Sequence, residues 1–147
     1  MNPSAERPEM HSPVSVRAVV AVLLWHRGKL ALFQRSFRVH SDTGLWHCVT
    51  GFLESEASPR EQAVQEVLEE TGLAAGDLLR FEDGPLLELH DEAGAVWRVH
   101  TFRAETTVCR LTLNWEHDVY QWVPPSKIRC FGHVAWLNDV VQAFDAA

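Results

Sequence analysis

Apolar positions along the chain predict several strands and two helices. The longest apolar run, Ala18 to Trp25, lies in a segment starting at Val14 that is typical of a long strand. A hairpin turn at residues 26–29 leads into the next strand. Strands are predicted at residues 14–25, 30–34, 46–49, 78–82, 86–90, 96–105 and 118–123. Many strands with two helices indicate an α/β fold in which helices cover a mixed sheet.

Two segments have helical spacing of apolar residues, and one of them has well-marked ends. The segment from His133 to Phe144 is amphipathic. The other runs from Pro59 to Thr71. Ser58 precedes it and Glu61 follows three residues later, which is the pattern of a capping box. Gly72 stands where a left-handed residue ends many helices. We therefore expect a helix with fixed boundaries at residues 59–71.

This helix carries three glutamates within about one turn. Glu66, Glu69 and Glu70 are three and four residues apart, so we expect them to share one side and to repel one another. A divalent cation with oxygen ligands would turn that repulsion into a binding site. The simpler interpretation of an isolated segment is an acidic, solvated helix face. Upstream, Thr50-Gly51 is expected to bend the chain that arrives from the strand at residues 46–49.

Residues 51–73 resemble the sequence signature of the Nudix hydrolase superfamily. The signature is G-x5-E-x7-R-E-U-x-E-E-x-G-U, in which U is a bulky aliphatic residue. The matching residues are Gly51, Glu66, Val67, Glu69, Glu70, Gly72 and Leu73. The resemblance implies a Nudix-type α/β/α sandwich with a mixed β-sheet. We expect this domain to occupy residues 14–147, after a flexible N-terminal tail at residues 1–13.

Two positions depart from the signature. Ala57 stands where the family has its first Glu, and Gln65 stands where it has Arg. In the family these two residues are understood to form an ion pair that supports the loop against the helix. Loss of one partner strands a charge, whereas loss of both can be nearly neutral. We therefore expect the loop geometry and the carboxylates to be retained, with fewer ions or weaker metal affinity.

A second group of polar residues precedes the last predicted strand. Residues 114–122, NWEHDVYQW, are similar to an E-H-x-x-Y-x-W stretch that occurs late in many Nudix proteins. The resemblance implies that Glu116 lies near the metal, as a ligand or as a general base. A carboxylate there can accept the proton of an attacking water. The alternative is that Glu116 and His117 are ordinary loop residues and that His117 has a structural hydrogen-bonding role.

The resemblance implies a Mg²⁺-dependent pyrophosphohydrolase in which Mn²⁺ can replace Mg²⁺. Glu66, Glu69 and Glu70 would hold the metal and act in catalysis, with a backbone carbonyl near Thr50 as an extra ligand. Glu116 or Glu66 would take the proton from water, and the sequence leaves that choice open. The expected substrate is a small phosphorylated molecule that contains a phosphoanhydride bond.

The sequence narrows the substrate only in part. Arg35 follows a predicted strand and is the best candidate among the basic residues for a phosphate contact, although most surface arginines are only solvated charges. Trp46 or Phe37 could stack on a base or pterin ring, but a role in the core is favoured for either. The run from Trp46 to Gly51 is similar to the dihydroneopterin triphosphate pyrophosphatase branch, which also acts on nucleoside triphosphates. A nucleoside triphosphate, dihydroneopterin triphosphate and an ADP-ribose-like compound remain open as substrates.

Composition restricts the classes of partner. The chain has 147 residues, of which 46% are hydrophobic and 22% charged, which fits one globular domain. A net charge of −7 argues against binding of long nucleic acids. The apolar run Ala18 to Trp25 is too short to span a bilayer, so no membrane partner is expected. The oligomeric state is open, and a homodimer is compatible with the sequence.

Three cysteines form no C-x-x-C motif, and their odd number leaves no complete disulfide framework. Cys48 lies in a predicted strand, where a buried structural thiol is favoured over a nucleophile. We therefore expect a cytoplasmic, reducing location.

A non-catalytic Nudix domain that binds a nucleotide as a sensor or scaffold is the alternative from another class. Ala57 and Gln65 favour that alternative. The clustered carboxylates favour an enzyme, because simple nucleotide binding gives little reason to gather acidic residues.

Overall fold

The computed structural model describes residues 15–145 of the chain. The predicted tail, residues 1–13, lies outside the described residues. The described part contains seven strands, two α-helices and two short 3-10 helices at residues 75–77 and 125–130. The strands are β1 (Val16–His26), β2 (Lys29–Arg35), β3 (Trp46–His47), β4 (Val49–Phe52), β5 (Leu78–His90), β6 (Val96–Thr106) and β7 (His117–Val123). The helices are α1 (Pro59–Thr71) and α2 (Leu137–Asp145).

The seven strands form one mixed sheet. β1 is parallel to β6, and the other paired strands are antiparallel. β1 and β2 pair only beside their hairpin, at Trp25–Leu30 and His26–Lys29, and then diverge. The gap between them is filled by β4, which pairs with β1, and by β3, which pairs with β2. Residues 46–52 therefore lie in the middle of the sheet.

Each face of the sheet is covered by a helix. Alternate residues of β1 contribute to two separate cores, with Val20 and Val22 on the α1 side and Ala21 and Leu23 on the α2 side. Burial on both faces explains why β1 reads as a continuous apolar run and not as an alternating one. The predicted α/β/α sandwich is confirmed. Between residues 15 and 145, no helix is long and apolar enough to cross a membrane.

The predicted boundaries of α1 are confirmed. The Ser58 hydroxyl accepts a hydrogen bond from the Glu61 backbone N–H at 3.1 Å, and the Glu61 carboxylate accepts one from the Ser58 N–H at 3.2 Å. At the other end Gly72 has a φ of 79°, and its N–H donates to the Leu68 carbonyl. Both ends of α1 are therefore fixed by local contacts.

The structure corrects the prediction of two short strands at residues 78–82 and 86–90. They belong to one strand, β5, which pairs with β6 throughout and shifts register between Asp83 and Leu86. Gly84-Pro85 lies within this irregularity. A Cβ on Gly84 would collide with the ring of Phe144 in α2. The glycine thus permits close contact between the bulged strand and the helix.

The start of the second helix is also corrected. α2 begins at Leu137, four residues after the predicted His133. The preceding residues pair with β3, because the Trp46 N–H donates to the Gly132 carbonyl and the Trp46 carbonyl accepts from the Val134 N–H. These two bonds hold residues 132–134 in an extended conformation that an α-helix would not allow.

We expect Ser58→Ala to lower the free energy of unfolding by about 1 kcal/mol, because it removes the side-chain half of the cap on α1. Urea denaturation followed by circular dichroism measures the change. Ser55→Ala, in the exposed loop before the helix, is the control and should alter the midpoint little. Equal midpoints for wild type and Ser58→Ala would contradict the assigned cap.

Candidate metal centre and cavity

The buried face of α1 contains acidic residues. Ala63 and Val67 pack into the core, as the apolar pattern predicts. Glu66 and Glu70 lie on the same face, with 9% and 1% of their surfaces exposed, whereas Glu69 is exposed. The three glutamates expected on one patch are thus divided between the interior and its rim. Burial of an ionised side chain costs free energy unless a partner or a bound ion compensates its charge, so these two carboxylates require such compensation.

Glu66 lies directly against the backbone of β4. Gly51 is an interior residue of β4 and pairs with Val20 of β1, so the expected bend at Thr50-Gly51 is wrong. A Cβ on Gly51 would overlap the carboxylate of Glu66. The glycine is needed because the helix side chain approaches the strand closely, not because the chain turns.

Glu116 and His117 come to the same place from the loop before β7. The Glu116 carbonyl accepts a hydrogen bond from the Ser36 N–H at 2.8 Å, and its own N–H donates to the Asn114 side chain at 3.0 Å. His117 is the first residue of β7 and is buried against Phe33, with ring centroids 5.2 Å apart. The loop position of the predicted Glu116 is therefore fixed by hydrogen bonds on both sides.

Glu70, Glu116 and His117 form a cluster suited to a metal ion. Each offers one ligand atom, and these atoms lie within 4.8 Å of one another. The distance from His117 Nδ1 to Glu70 Oε1 is 3.8 Å. Both carboxylate oxygens of Glu70 and Nδ1 of His117 are buried without a hydrogen-bond partner among residues 15–145. Carboxylate oxygens are the ligands that Mg²⁺ prefers, so this acidic group fits a hard divalent cation.

The electrostatics of the cluster favour a bound cation. Burial raises the pKa of Glu70 well above its ordinary value, and the neighbouring charges of Glu116 and Glu66 raise it further. Burial likewise raises the pKa of Glu66 and that of Glu116. The Arg35 charge partly opposes the shift at Glu116. A divalent ion would reverse these shifts, because it stabilises the ionised carboxylates.

The histidines and the cysteine of the site are held in their neutral forms. Burial, followed by the charge of Arg35, lowers the pKa of His117 to about 4 and that of His47 to about 3. Burial, followed by the Glu70 charge, raises the pKa of the Cys48 thiol. The strand predicted at residues 46–49 is divided into β3 and β4, and Cys48 lies between them. It is 1% exposed, which confirms the predicted buried thiol, so a thiolate nucleophile is disfavoured here.

The cluster faces a cavity of about 780 Å³. Glu70, Glu116 and His117 line one part of the cavity, next to the β4 residues Thr50 and Gly51. Aromatic side chains line another part, namely those of Phe52, Trp97 and Trp136. A volume of this size holds a nucleotide-sized ligand. Further carboxylates, among them Asp91, which accepts a hydrogen bond from Trp97 Nε1, also line the cavity. A metal cluster and aromatic rings in one cavity suit a ligand that combines phosphates with a flat ring.

Of the two residues predicted to bind substrate, Arg35 lines the cavity and Trp46 does not. Arg35 is half-buried and lines the cavity, where its Nε donates to the Ser41 carbonyl at 3.1 Å. Trp46 packs against Phe131, with ring centroids 5.0 Å apart, and does not line the cavity. Phe37 is 84% exposed and also lies outside the cavity lining.

Sequence reasoning did not identify His47 and Trp136 as cavity residues. His47 lies in β3, is 2% exposed and has no hydrogen-bond partner for either ring nitrogen among the described residues. Its ring meets the edge of Trp136 at a centroid distance of 4.4 Å. The available signal was a histidine within an apolar strand, and that signal does not distinguish a core position from a cavity wall.

The positions that depart from the signature carry no charge pair. Ala57 is half-buried, and Gln65 is exposed and donates to the Glu69 carboxylate at 2.8 Å. The nearby loop carboxylates Glu54 and Glu56 are exposed and do not line the cavity. The loop is closed instead by a turn in which the Ala57 N–H donates to the Glu54 carbonyl.

Comparison with known proteins assigns the family. The model of the NUDIX domain matches residues 14–144. Because the match covers most of the chain, the protein belongs to the NUDIX family, as residues 51–73 predict.

Solved structures share the fold. The MutT protein from Methanosarcina mazei Go1 is 23% identical, with a TM-score of 0.77 over 90% of this chain and 95% of that chain. The dihydroneopterin triphosphate pyrophosphohydrolase of E. coli is 18% identical, with a TM-score of 0.72 over 91% and 97%. The NUDIX domain of Shewanella oneidensis NrtR, solved with ADP ribose, is 16% identical, with a TM-score of 0.74 over 95% and 91%. These identities establish the fold alone.

We expect Glu70→Gln to stabilise the metal-free protein increasingly as pH rises. Between the ordinary value of 4.5 and the raised pKa of Glu70, the folded state keeps a proton that the unfolded state has lost. The free energy of unfolding of wild type therefore falls with rising pH, and Glu70→Gln removes this contribution. The buried histidines are present in both proteins, so the comparison reports on Glu70 together with the carboxylates coupled to it, Glu66 and Glu116.

Urea denaturation in EDTA between about pH 5 and 8 measures the difference. Glu56→Gln, in the exposed loop, is the control and should parallel wild type. Added Mg²⁺ should stabilise wild type and leave Glu70→Gln unchanged. A difference between wild type and Glu70→Gln that is constant with pH would contradict the assignment.

Proposed function

We propose that this protein is a hydrolase that cleaves a phosphoanhydride bond in a nucleoside diphosphate or triphosphate type of substrate. One observation carries the proposal: a cluster of buried Glu70 and His117 with half-buried Glu116 faces a nucleotide-sized cavity, and the Glu70 oxygens and His117 Nδ1 lack hydrogen-bond partners among the described residues. Buried carboxylates without a counter-charge are costly, and a bound cation would remove that cost. Membership of the NUDIX family supports the same reaction class.

Mg²⁺ is the proposed cofactor, and Mn²⁺ is expected to substitute for it. Glu70 would hold the ion, with Glu116 and His117, whose ligand atoms lie beside it, and a backbone carbonyl near Thr50 as further ligands. Glu66, on the buried face of α1, and Glu69, at its exposed rim, are also proposed ligands, although neither lines the cavity. When bound, such an ion offsets negative charge on phosphate oxygens and lowers the pKa of coordinated water.

The side chains around the cavity have separate proposed roles. Water attacks a phosphorus atom, so that a new P–O bond forms while the P–O bond to the leaving phosphate breaks. The proton of the water passes to the carboxylate of Glu116 or of Glu66. The raised pKa of both groups moves them towards neutral pH, where a general base is most effective. Arg35, on the cavity wall, would contact a phosphate.

The cavity suits a substrate with an aromatic ring. Stacking by Trp46 was expected, but in our proposal Phe52, Trp97 and Trp136 take this role because they line the cavity. Nucleoside triphosphates and dihydroneopterin triphosphate are the first candidates, and an ADP-ribose-like compound is the next. The similar structures include a dihydroneopterin triphosphate pyrophosphohydrolase and a domain in complex with ADP ribose, which supports this range.

A nucleotide-binding domain without catalysis is the second candidate. The neutral residues Ala57 and Gln65 favour it, since the family signature has a charged pair at these positions. The cytoplasmic location, the homodimer and the absence of long nucleic acid partners stay predictions.

We expect turnover of at least one compound in a panel of nucleoside triphosphates, dihydroneopterin triphosphate and ADP-ribose with Mg²⁺ or Mn²⁺. Glu70→Gln should lower turnover by at least about 100-fold, since even residues that only support metal ligands cost 10- to 100-fold. The rate is measured as inorganic phosphate that added pyrophosphatase or phosphatase releases from the products. Glu56→Gln is the control. Saturable binding of one compound without any turnover would instead establish the binding-only alternative.

Glu116→Gln should lower kcat by about 10² to 10⁴-fold if Glu116 accepts the proton from water. The concentration of Mg²⁺ that gives half-maximal rate should rise as well if Glu116 also holds the metal, and should change little if it acts only as a base. Steady-state rates against pH measure both quantities, and Asp118→Asn, exposed two residues further on, is the control. Retention of kcat in Glu116→Gln would assign the proton to Glu66.

A further inference from the structure

Gln62 is a buried amide on the same face of α1 as Glu66 and Glu70. It is 5% exposed and lies one helical turn before Glu66. The family signature leaves this position undefined, and neither the proposed catalytic roles nor the cavity lining includes it. A buried amide is stable only where hydrogen-bond partners replace water, so its contacts are informative.

Gln62 makes one hydrogen bond to the helix and one to the loop. Its Nε2 donates to Glu66 Oε2 at 2.8 Å. Its Oε1 accepts from the backbone N–H of Glu54 at 3.2 Å. A backbone N–H can only donate and a carboxylate accepts, so the two partners fix which end of the amide faces which way. Gln62 therefore joins the loop after β4 to a carboxylate of α1.

These contacts leave Glu66 little freedom. One side of its carboxylate is against the Gly51 backbone, where no Cβ would fit, and Gln62 holds one oxygen. A hydrogen bond to a charged carboxylate is stronger than one between neutral groups, and burial strengthens it further. The other glutamine on this helix, Gln65, makes the same kind of i to i+4 bond to Glu69 but is exposed, where water can replace it.

We propose that Gln62 is a positioning residue for the metal centre. Gln62 supports the loop and the helix in place of the charged pair that the family signature has at positions 57 and 65. The proposal rests on the proposed function of the site. A charged pair would support the loop with two opposite charges close to Glu66. The Gln62 amide supports the same loop and leaves the full negative charge of the carboxylate for a cation. The neutral residues Ala57 and Gln65 are then compatible with a working site.

The test is Gln62→Met, which keeps the length of the side chain and removes both hydrogen bonds. We expect the dissociation constant for Mn²⁺, measured by electron paramagnetic resonance, to rise about 10- to 100-fold. The Mn²⁺ concentration for half-maximal turnover should rise in parallel, with a smaller change in kcat at saturating metal. Hydrogen exchange at the Glu54 amide, followed by NMR without metal, should become faster because its acceptor is gone.

Two controls separate positioning from a general loss of stability. Gln65→Met is the same substitution on the exposed side of α1 and should leave the Glu54 amide exchange unchanged. Val140→Ala removes core volume on the opposite face of the sheet and should lower stability without weakening Mn²⁺ binding. If Gln62→Met does not fold, Gln62→Asn takes its place, because the shorter amide cannot reach both partners.

Several outcomes would overturn the proposal. Unchanged Mn²⁺ affinity and unchanged Glu54 exchange in folded Gln62→Met would do so, as would an equal loss of affinity in Val140→Ala. Failure of the proposed function is separate, because it is measured on wild type. If wild type does not bind Mn²⁺, or if Glu70→Gln leaves Mn²⁺ binding intact, both the metal centre and the role of Gln62 are overturned.

Discussion

Burial of Glu66 and Glu70 against the strand β4 is the constraint that shapes this molecule. The docking face of α1 must bury both carboxylates in order to bury Ala63 and Val67. Glycine at position 51 provides the space, and the polar atoms of Glu70 find no protein partner among the described residues. The metal-free fold thus retains an electrostatic penalty that a divalent cation is suited to relieve.

The sheet makes this arrangement accessible to a ligand. β1 and β2 diverge beyond their hairpin, and β3 and β4 fill the space between them. The fourth strand therefore passes under α1, while Glu116 approaches from the loop before β7. A centre assembled from a helix, a strand and a loop is held rigidly by the core and still faces a cavity.

Local signals explain which features could be predicted. Ser58 and Gly72 cap α1 through hydrogen bonds to nearby residues, so both ends of α1 could be predicted from the sequence. The start of α2 was not, because the extension of residues 132–134 depends on bonds to Trp46, far away in the chain. His47 was overlooked for the same reason, because its contact with Trp136 arises only when distant segments meet. The partners of Gln62 are close in the chain, but the apolar pattern of α1 does not show which of its polar side chains the sheet buries.

The parallel pairing of β1 with β6 has a consequence for how the chain acquires its site. It joins Val16 to Val96, about 80 residues apart, and contacts of such separation form slowly because loop closure precedes them. α1, with its local caps, belongs to the early part of the chain, whereas Glu116 and His117 are synthesised later. A nascent chain consequently carries the acidic helix before the residues that complete the cluster, and the proposed metal binding would follow completion of the sheet.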